Sequence, residues 1–232
     1  MTIYRLSKEL VFPSPEKAEP EGLLAIGGDL SGERLLLAYR LGIFPWYSEG
    51  SPILWWSPDP RLILEPRKLH ISKSLSRVIK KGIFKITVDQ SFEGVIQGCA
   101  HAQRPDEKGT WIVKDMIKAY VHLHEAGFAH SVESWFKEKL VGGVYGVSLG
   151  KVFFGESMFY TMENASKVAF VYLTRLLQQW KFEMIDCQVT TNNLLRFGAH
   201  EISRPRFLKR LAKALKHQTL RGRWQLPEKF TV

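Results

Sequence analysis

Residues 130–136, 139–147 and 151–159 form three runs rich in aromatic and β-branched residues, separated by two and three residues. Connections that short cannot hold a crossover, so the three runs predict consecutive antiparallel strands, a meander. A sheet of this kind needs its apolar face covered. Helical spacing over residues 113–126, stopping at Gly127, over 165–180 and over the basic stretch 206–217 supplies the cover, and residues 183–189 add a further strand. Strands backed by helices define a mixed α/β, or α+β, fold.

The first sixty residues have a different texture. Pro13-Ser14-Pro15 and Gly27-Gly28-Asp29 mark turns, and one short helix is predicted over residues 33–41, capped by Asp29 or Ser31 and stopped at Gly42. The change of texture after Arg61 predicts a small N-terminal domain over residues 1–62 and a larger one over 63–232. With 45% hydrophobic residues in 232, the chain can bury a substantial core, and it shows neither internal repeats nor low-complexity tracts.

The longest strongly apolar run, from Val168 to Leu173, is six residues, far short of the roughly 20 that span a bilayer. The opening residues MTIYRLSKEL lack the apolar segment of an export signal. Cys99 and Cys187 have no neighbour at metal-binding or redox-motif spacing, and two cysteines are too few for a disulfide framework. A reducing cytoplasm, no metal and no cofactor are the resulting expectations.

Charge is segregated. From Pro66 to Lys85 there are seven Lys/Arg, and from Ile202 to Arg223 there are eight, with no acid in either stretch. Outside them 18 basic residues face 23 acidic ones, a formal charge of −5 in a chain whose total is +10. Such segregation suits a polyanion, because each phosphate neutralised by Lys or Arg releases condensed counterions; one run alone would read as a solvated helix face. The stretch Pro52-Ile53-Leu54-Trp55-Trp56-Ser57-Pro58-Asp59-Pro60-Arg61 adds a stiff aromatic platform, and stacking on aromatic rings is how proteins hold unpaired bases.

Strand periodicity sorts the polar candidates. Phe154, Glu156 and Met158 are expected to share one side of their strand, and Asp186 and Gln188 one side of theirs, with Cys187 opposite. Both strands thus carry an acid in mid-run. Either these are solvated edge positions or salt bridges to an arginine that the pattern does not identify, or they are functional. Familiar catalytic motifs are absent: no GxSxG, no HExxH, and Gly142-Gly143-Val144-Tyr145-Gly146 lacks the Lys-Ser/Thr of a P-loop. His122 and His124, two apart on a predicted helix, read as surface residues. Phe170, Leu173 and Leu177 make one apolar helix stripe, which is either core or, with Phe153, Met158 and Ile185, the lining of a pocket for a large side chain.

Six strings, in order and at consistent spacing, carry a resemblance over nearly the whole chain: Gly22-Leu23-Leu24-Ala25-Ile26-Gly27-Gly28-Asp29-Leu30, Gly42-Ile43-Phe44-Pro45-Trp46-Tyr47, the platform stretch above, Gly155-Glu156-Ser157-Met158-Phe159, Glu163-Asn164-Ala165-Ser166-Lys167, and Ile185-Asp186-Cys187-Gln188-Val189. Together they resemble the leucyl/phenylalanyl-tRNA-protein transferase family. The resemblance implies an N-terminal domain followed by an acetyltransferase-like (GNAT-like) mixed sheet. It implies an enzyme that moves Leu or Phe, and less readily Met, from aminoacyl-tRNA to the N-terminal Arg or Lys of proteins, marking them for N-degron degradation. Leu-tRNA, Phe-tRNA and such acceptor proteins are therefore the expected partners of a monomer.

The resemblance also implies roles. Trp46 and Trp111 hold the 3′ adenosine, while Phe153, Met158, Phe170, Leu173, Leu177 and Ile185 take the aminoacyl side chain. Glu156, Asp186 and Gln188 lie at the reacting centre. Trp55 and Trp56 then become a brace for the loop carrying Trp46 rather than the stacking platform itself. Asn193 stands where many relatives have His, Lys73 where Arg is common, and Val144 where a bulkier Met can line the pocket. The ester of an aminoacyl-tRNA is already activated, so the enzyme need only align an unprotonated amine and stabilise an oxyanion. Asp186 is expected to orient that amine, directly or through Gln188, and Glu156 to help fix the aminoacyl-adenosine; a carboxamide steers better than it removes protons. Two rival readings of the sequence remain, an N-acetyltransferase, for which no pyrophosphate loop is found, and an RNA-binding protein without catalysis.

In the first basic segment, Lys73, Arg77, Lys80 and Lys81 are the candidate tRNA contacts. Replacing Lys73 and Arg77 together by uncharged residues should weaken tRNA binding and flatten its log-log salt dependence by nearly two units, as loss of two phosphate contacts requires. A titration at several salt concentrations reads this directly, and an unchanged slope would remove both residues from the footprint.

Overall fold

The computed structural model describes residues 3–102, 112–228 and 230, and the fold is mixed α/β with two sheets. The first part of the chain gives β1 (Tyr4–Leu6), β2 (Leu23–Gly27), α1 (Gly32–Arg40), β3 (Phe44–Pro45) and β4 (Leu54–Trp56). Its four strands pair in the order β1-β2-β4-β3. Of the two predicted caps, Ser31 holds α1, its Oγ accepting the Arg34 N–H at 3.4 Å. Gly42 ends the turn at φ +74°, where a Cβ would also meet Phe207 and Leu208 at 2.9 and 2.8 Å.

The remainder gives β5 (Arg61–Leu64), α2 (Lys73–Lys80), β6 (Lys85–Val88), α3 (Phe92–His101), α4 (Lys114–Glu125), β7 (Ala129–Phe136), β8 (Lys139–Leu149), β9 (Val152–Tyr160), α5 (Ala165–Gln179), β10 (Met184–Gln188), α6 (Asn192–Arg196), β11 (His200–Ile202) and α7 (Arg204–Ala214). The predicted meander is β7-β8-β9, and Lys137 and Glu138 both take positive φ in its first turn. Seven strands pair in the order β11-β5-β10-β9-β8-β7-β6. Both faces are covered. One apolar cluster joins Leu24, Tyr39, Ile43 and Trp55 of the first sheet and its helix to Tyr145, Phe154 and Phe207, and the other lies under α5.

Two irregularities shape the middle of the large sheet. β9 and β10 are its parallel pair, joined from Met184–Asp186 to 152–154, and β9 then runs on without β10 beside it. At that point Gly155 pairs with Gly146 and Ser157 with Tyr145, so Glu156 is an extra residue, a bulge. The bulge corrects the expected facing: Phe154 joins the cluster between the sheets, whereas Met158 packs with Phe153 on the α5 side. A second bulge sets Asp186 opposite Ile63 and Gln188 opposite Leu62.

The glycines of β8 are explained by close approach. A Cβ on Gly142 would lie 2.6 Å from Ala165 of α5, and one on Gly143 2.8 Å from Val95 of α3. His124 departs from its surface reading, since its ring stacks on Phe92 at 4.4 Å and its Nδ1 lies 2.8 Å from the Ala129 carbonyl oxygen. At Gly146 a Cβ would stand 2.1 Å from the Phe154 carbonyl oxygen and 2.5 Å from the Phe153 ring. Gly146→Ala should therefore cost at least the ~1–3 kcal/mol of an overpacked core, read as a lower urea midpoint at unchanged slope; wild-type stability would show that β8 and β9 do not approach so closely.

Candidate active site

Glu156 sits on the bulge of β9 and is 9% exposed. Its Oε1 accepts from the Tyr39 hydroxyl at 2.8 Å and from Gln188 Nε2 at 2.8 Å, and its Oε2 from the Tyr120 hydroxyl at 2.9 Å. The two phenols, from α1 and α4, also touch each other through their oxygens. Three oxygen–oxygen contacts thus close a ring. With Glu156 ionised, two phenolic protons serve three contacts; one proton on the carboxyl supplies the third. Burial raises the Glu156 pKa to about 7, opposed by the hydrogen bonds from Tyr39, Tyr120 and Gln188 and reinforced by the Asp186 charge. Burial and the facing carboxylate push both phenols well above their ordinary range, which keeps them neutral donors.

Asp186 has a different environment. It is fully buried, and its two oxygens receive Arg61 Nε at 2.8 Å and Nη2 at 2.7 Å, a bidentate ion pair across β5 and β10. Its Oδ1 also accepts the backbone N–H of Gln188 at 3.0 Å. Gln188 has φ +62°, left-handed backbone that a non-glycine residue adopts at a cost of ~1–3 kcal/mol. The carboxylate two residues back offsets that cost, as in an Asx turn. Of the two structural alternatives for these acids, the ion pair holds for Asp186, and the arginine is Arg61, the last residue of the platform stretch. The Gln188 carboxamide is fixed at one end, its Nε2 donating to Glu156.

The structure brings Glu156, Asp186 and Gln188 together. It also gathers Phe153, Phe170, Leu173, Leu177 and Ile185 with buried Val144 and partly exposed Met158 in the apolar cluster on the α5 side of the sheet. Asn193 lies over this group, its Nδ2 3.8 Å from Met158 Sδ, and helps line a cleft of about 530 Å³ with His70, Lys167, Arg196 and Phe197. Trp46 is 36% exposed, and Trp56 braces it, donating Nε1–H to the Trp46 carbonyl at 2.7 Å with the rings 6.1 Å apart. Trp55 is buried and donates to the Gly27 carbonyl at 2.8 Å. Trp111 lies outside the described residues. Lys73, Arg77 and Lys80 are exposed on α2 with Lys81 at its end, and α2 begins at Ser72, whose Oγ accepts the Leu75 N–H at 3.2 Å.

Sequence reasoning missed Tyr39, Tyr120 and Arg61. Tyr39 and Tyr120 fall at ordinary buried positions of predicted helices, where a hydroxyl gives no periodic signal. Arg61 stood in plain view as the one cation of a Pro- and Trp-rich stretch.

Comparison with known proteins gives first the class. The family model described as leucyl/phenylalanyl-tRNA protein transferase matches residues 63–212, and that of the N-terminal domain of the same family matches 28–59. The family is one of aminoacyltransferases, which removes both rival readings. Similar proteins are the leucyl/phenylalanyl-tRNA–protein transferases of Anaeromyxobacter sp. (strain Fw109-5), 61% identical over 97% of this chain and 96% of that protein, and of Oleidesulfovibrio alaskensis, 56% identical over 99% and 95%. That of Myxococcus xanthus is 56% identical over 97% of each chain. This chain belongs to the leucyl/phenylalanyl-tRNA–protein transferase family.

The Glu156 environment has a pH consequence. Its pKa is raised from 4.5 in the unfolded chain to about 7, so the folded state binds the proton more tightly. Its contribution to stability is complete below about pH 4.5, falls as pH rises through 7, and is absent above. Urea unfolding on either side of this interval should show wild type losing roughly 3 kcal/mol relative to Glu156→Gln as pH rises. Parallel curves for the two proteins would place the proton elsewhere.

Proposed function

We propose that this protein transfers Leu or Phe, and Met less readily, from aminoacyl-tRNA to the N-terminal Arg or Lys of acceptor proteins, and so marks them for N-degron degradation. The observation that carries the reading is Gln188: its backbone N–H is held by Asp186 and its Nε2 by Glu156, which fixes the carboxamide for an amine to donate to its oxygen.

In the reaction the amine nitrogen bonds to the ester carbon, the bond from that carbon to the ribose oxygen breaks, and one proton passes from nitrogen to the departing oxygen. An α-amine with a pKa of ~8 needs only orientation and a small shift to attack. Gln188 orients it. Glu156, half-ionised near neutrality and hydrogen-bonded to Tyr39, Tyr120 and Gln188, is suited to hold the proton in transit. Asp186 serves through Gln188 rather than by touching the amine, because Arg61 and the Gln188 N–H already occupy its oxygens.

The remaining site residues follow from the same reading. Trp46 and Trp111 stack the terminal adenosine, and the apolar group of Phe153, Met158, Phe170, Leu173, Leu177 and Ile185 receives the Leu or Phe side chain. Met158, flexible and partly exposed, is the wall best able to give way. The exposed cations Lys73, Arg77, Lys80 and Lys81 neutralise acceptor-stem phosphates. The first part of the chain acts as a separate domain that carries Trp46 to the large sheet; the change of sheet between Trp56 and Arg61 supports the division and sets its boundary before β5 rather than at residue 62. The protein works as a cytoplasmic monomer without a cofactor; no helix among the described residues is long and apolar enough to cross a membrane.

Incubation with radiolabelled Leu-tRNA and peptides that begin with Arg, Lys or Ala should join label to the first two alone. Labelling of the Ala peptide would refute the acceptor assignment, and labelling of none would refute the transfer itself.

A further inference from the structure

Arg61 is 1% exposed and opens β5, the antiparallel neighbour of β10. Its guanidinium does three things at once. It grips both oxygens of Asp186 at 2.8 and 2.7 Å. It lies over the Phe44 ring at 4.8 Å and over the Phe207 ring at 4.5 Å. Its Nη1 is buried without a hydrogen-bond partner among the described residues. A buried pair with one donor unsatisfied is a poor way to gain stability, since well-packed apolar residues of similar volume often do as well or better. The arrangement is better explained by what it holds in place.

Phe44 belongs to β3, two residues before Trp46, and Phe207 to α7. Asp186, on the other side of the guanidinium, carries the hydrogen bond that keeps Gln188 at positive φ. We infer that Arg61 is a positioning residue of the transfer reaction: its planar fork fixes the Asp186 carboxylate, and through it the Gln188 backbone, at a set distance from the strand that leads to Trp46. The inference rests on the reaction proposed above. Lysine could supply the charge but not the two parallel N–H bonds or the ring-stacking plane.

The test is Arg61→Lys, with kcat and KM measured separately for Leu-tRNA and for an Arg-peptide, and with the Gln188 backbone amide followed by ¹H–¹⁵N spectroscopy. A misplacement of about 1 Å at a reacting centre costs on the order of 100-fold in rate. The expected result is a kcat lower by roughly that factor, KM for Leu-tRNA within about threefold of wild type, and a shifted Gln188 amide. Wild-type kcat, or losses that follow melting temperature while the Gln188 amide stays put, would overturn the inference.

The double variant Arg61→Met/Asp186→Leu removes both charges and so avoids an unpaired ion in the core. It should fold and remain slow. A folded double variant with wild-type kcat, or unfolding of both variants, would assign the pair to the fold alone. Failure of the wild-type protein to transfer Leu at all is a separate result, which strikes the reaction and not the role of Arg61.

Discussion

A guanidinium and a carboxylate buried together, each costly to remove from water, persist only if their geometry is nearly ideal. Arg61 and Asp186 meet that condition with two parallel hydrogen bonds across adjacent strands, between the rings of Phe44 and Phe207. The centre of the molecule is built around this pair. It links the first sheet, through Phe44, to the last helix, through Phe207, and both to the strand that ends in Gln188. Gln188 in turn takes a backbone conformation that the Asp186 carboxylate supports by accepting its N–H.

The second carboxylate is treated in the opposite way. Glu156 meets two phenols and a carboxamide, neutral donors all, and no cation among the described residues. Burial without a countercharge raises its pKa to about 7, where gain and loss of a proton cost little. Two acids on neighbouring strands thus have opposite environments, set by whether their partners carry charge. The bulge at Glu156 makes this possible, since it turns the side chain towards Tyr39 and Tyr120 just where β9 and β10 part.

Much of the frame was legible in the sequence. The meander over β7, β8 and β9, the helix from Gly32 to Arg40 with its Ser31 cap, and the long helix α5 all follow from local periodicity and turn chemistry. The helix α2 does not: its Lys and Arg mask the spacing of Leu75, Val78 and Ile79, which seat it against the core. Met158 departs from its expected facing, while Glu156 keeps the side of Phe154, both meeting Tyr39. An alternation of two assumes an unbroken strand, and one extra residue reverses it, which is why Phe154 and Met158 lie on opposite sides.

By itself the sequence determined the meander, the strand β10, the helices α1, α4, α5 and α7, where cations gather, and which family strings recur, because these depend on neighbours a few residues apart. Only the tertiary structure decided that Tyr39 and Tyr120 close on Glu156 and that Arg61 belongs to Asp186. Those partners stand 117, 36 and 125 residues apart. A polar contact over such a span leaves no period along the chain: it exists because two sheets share one apolar cluster, and burial there favours polar groups that pair with one another.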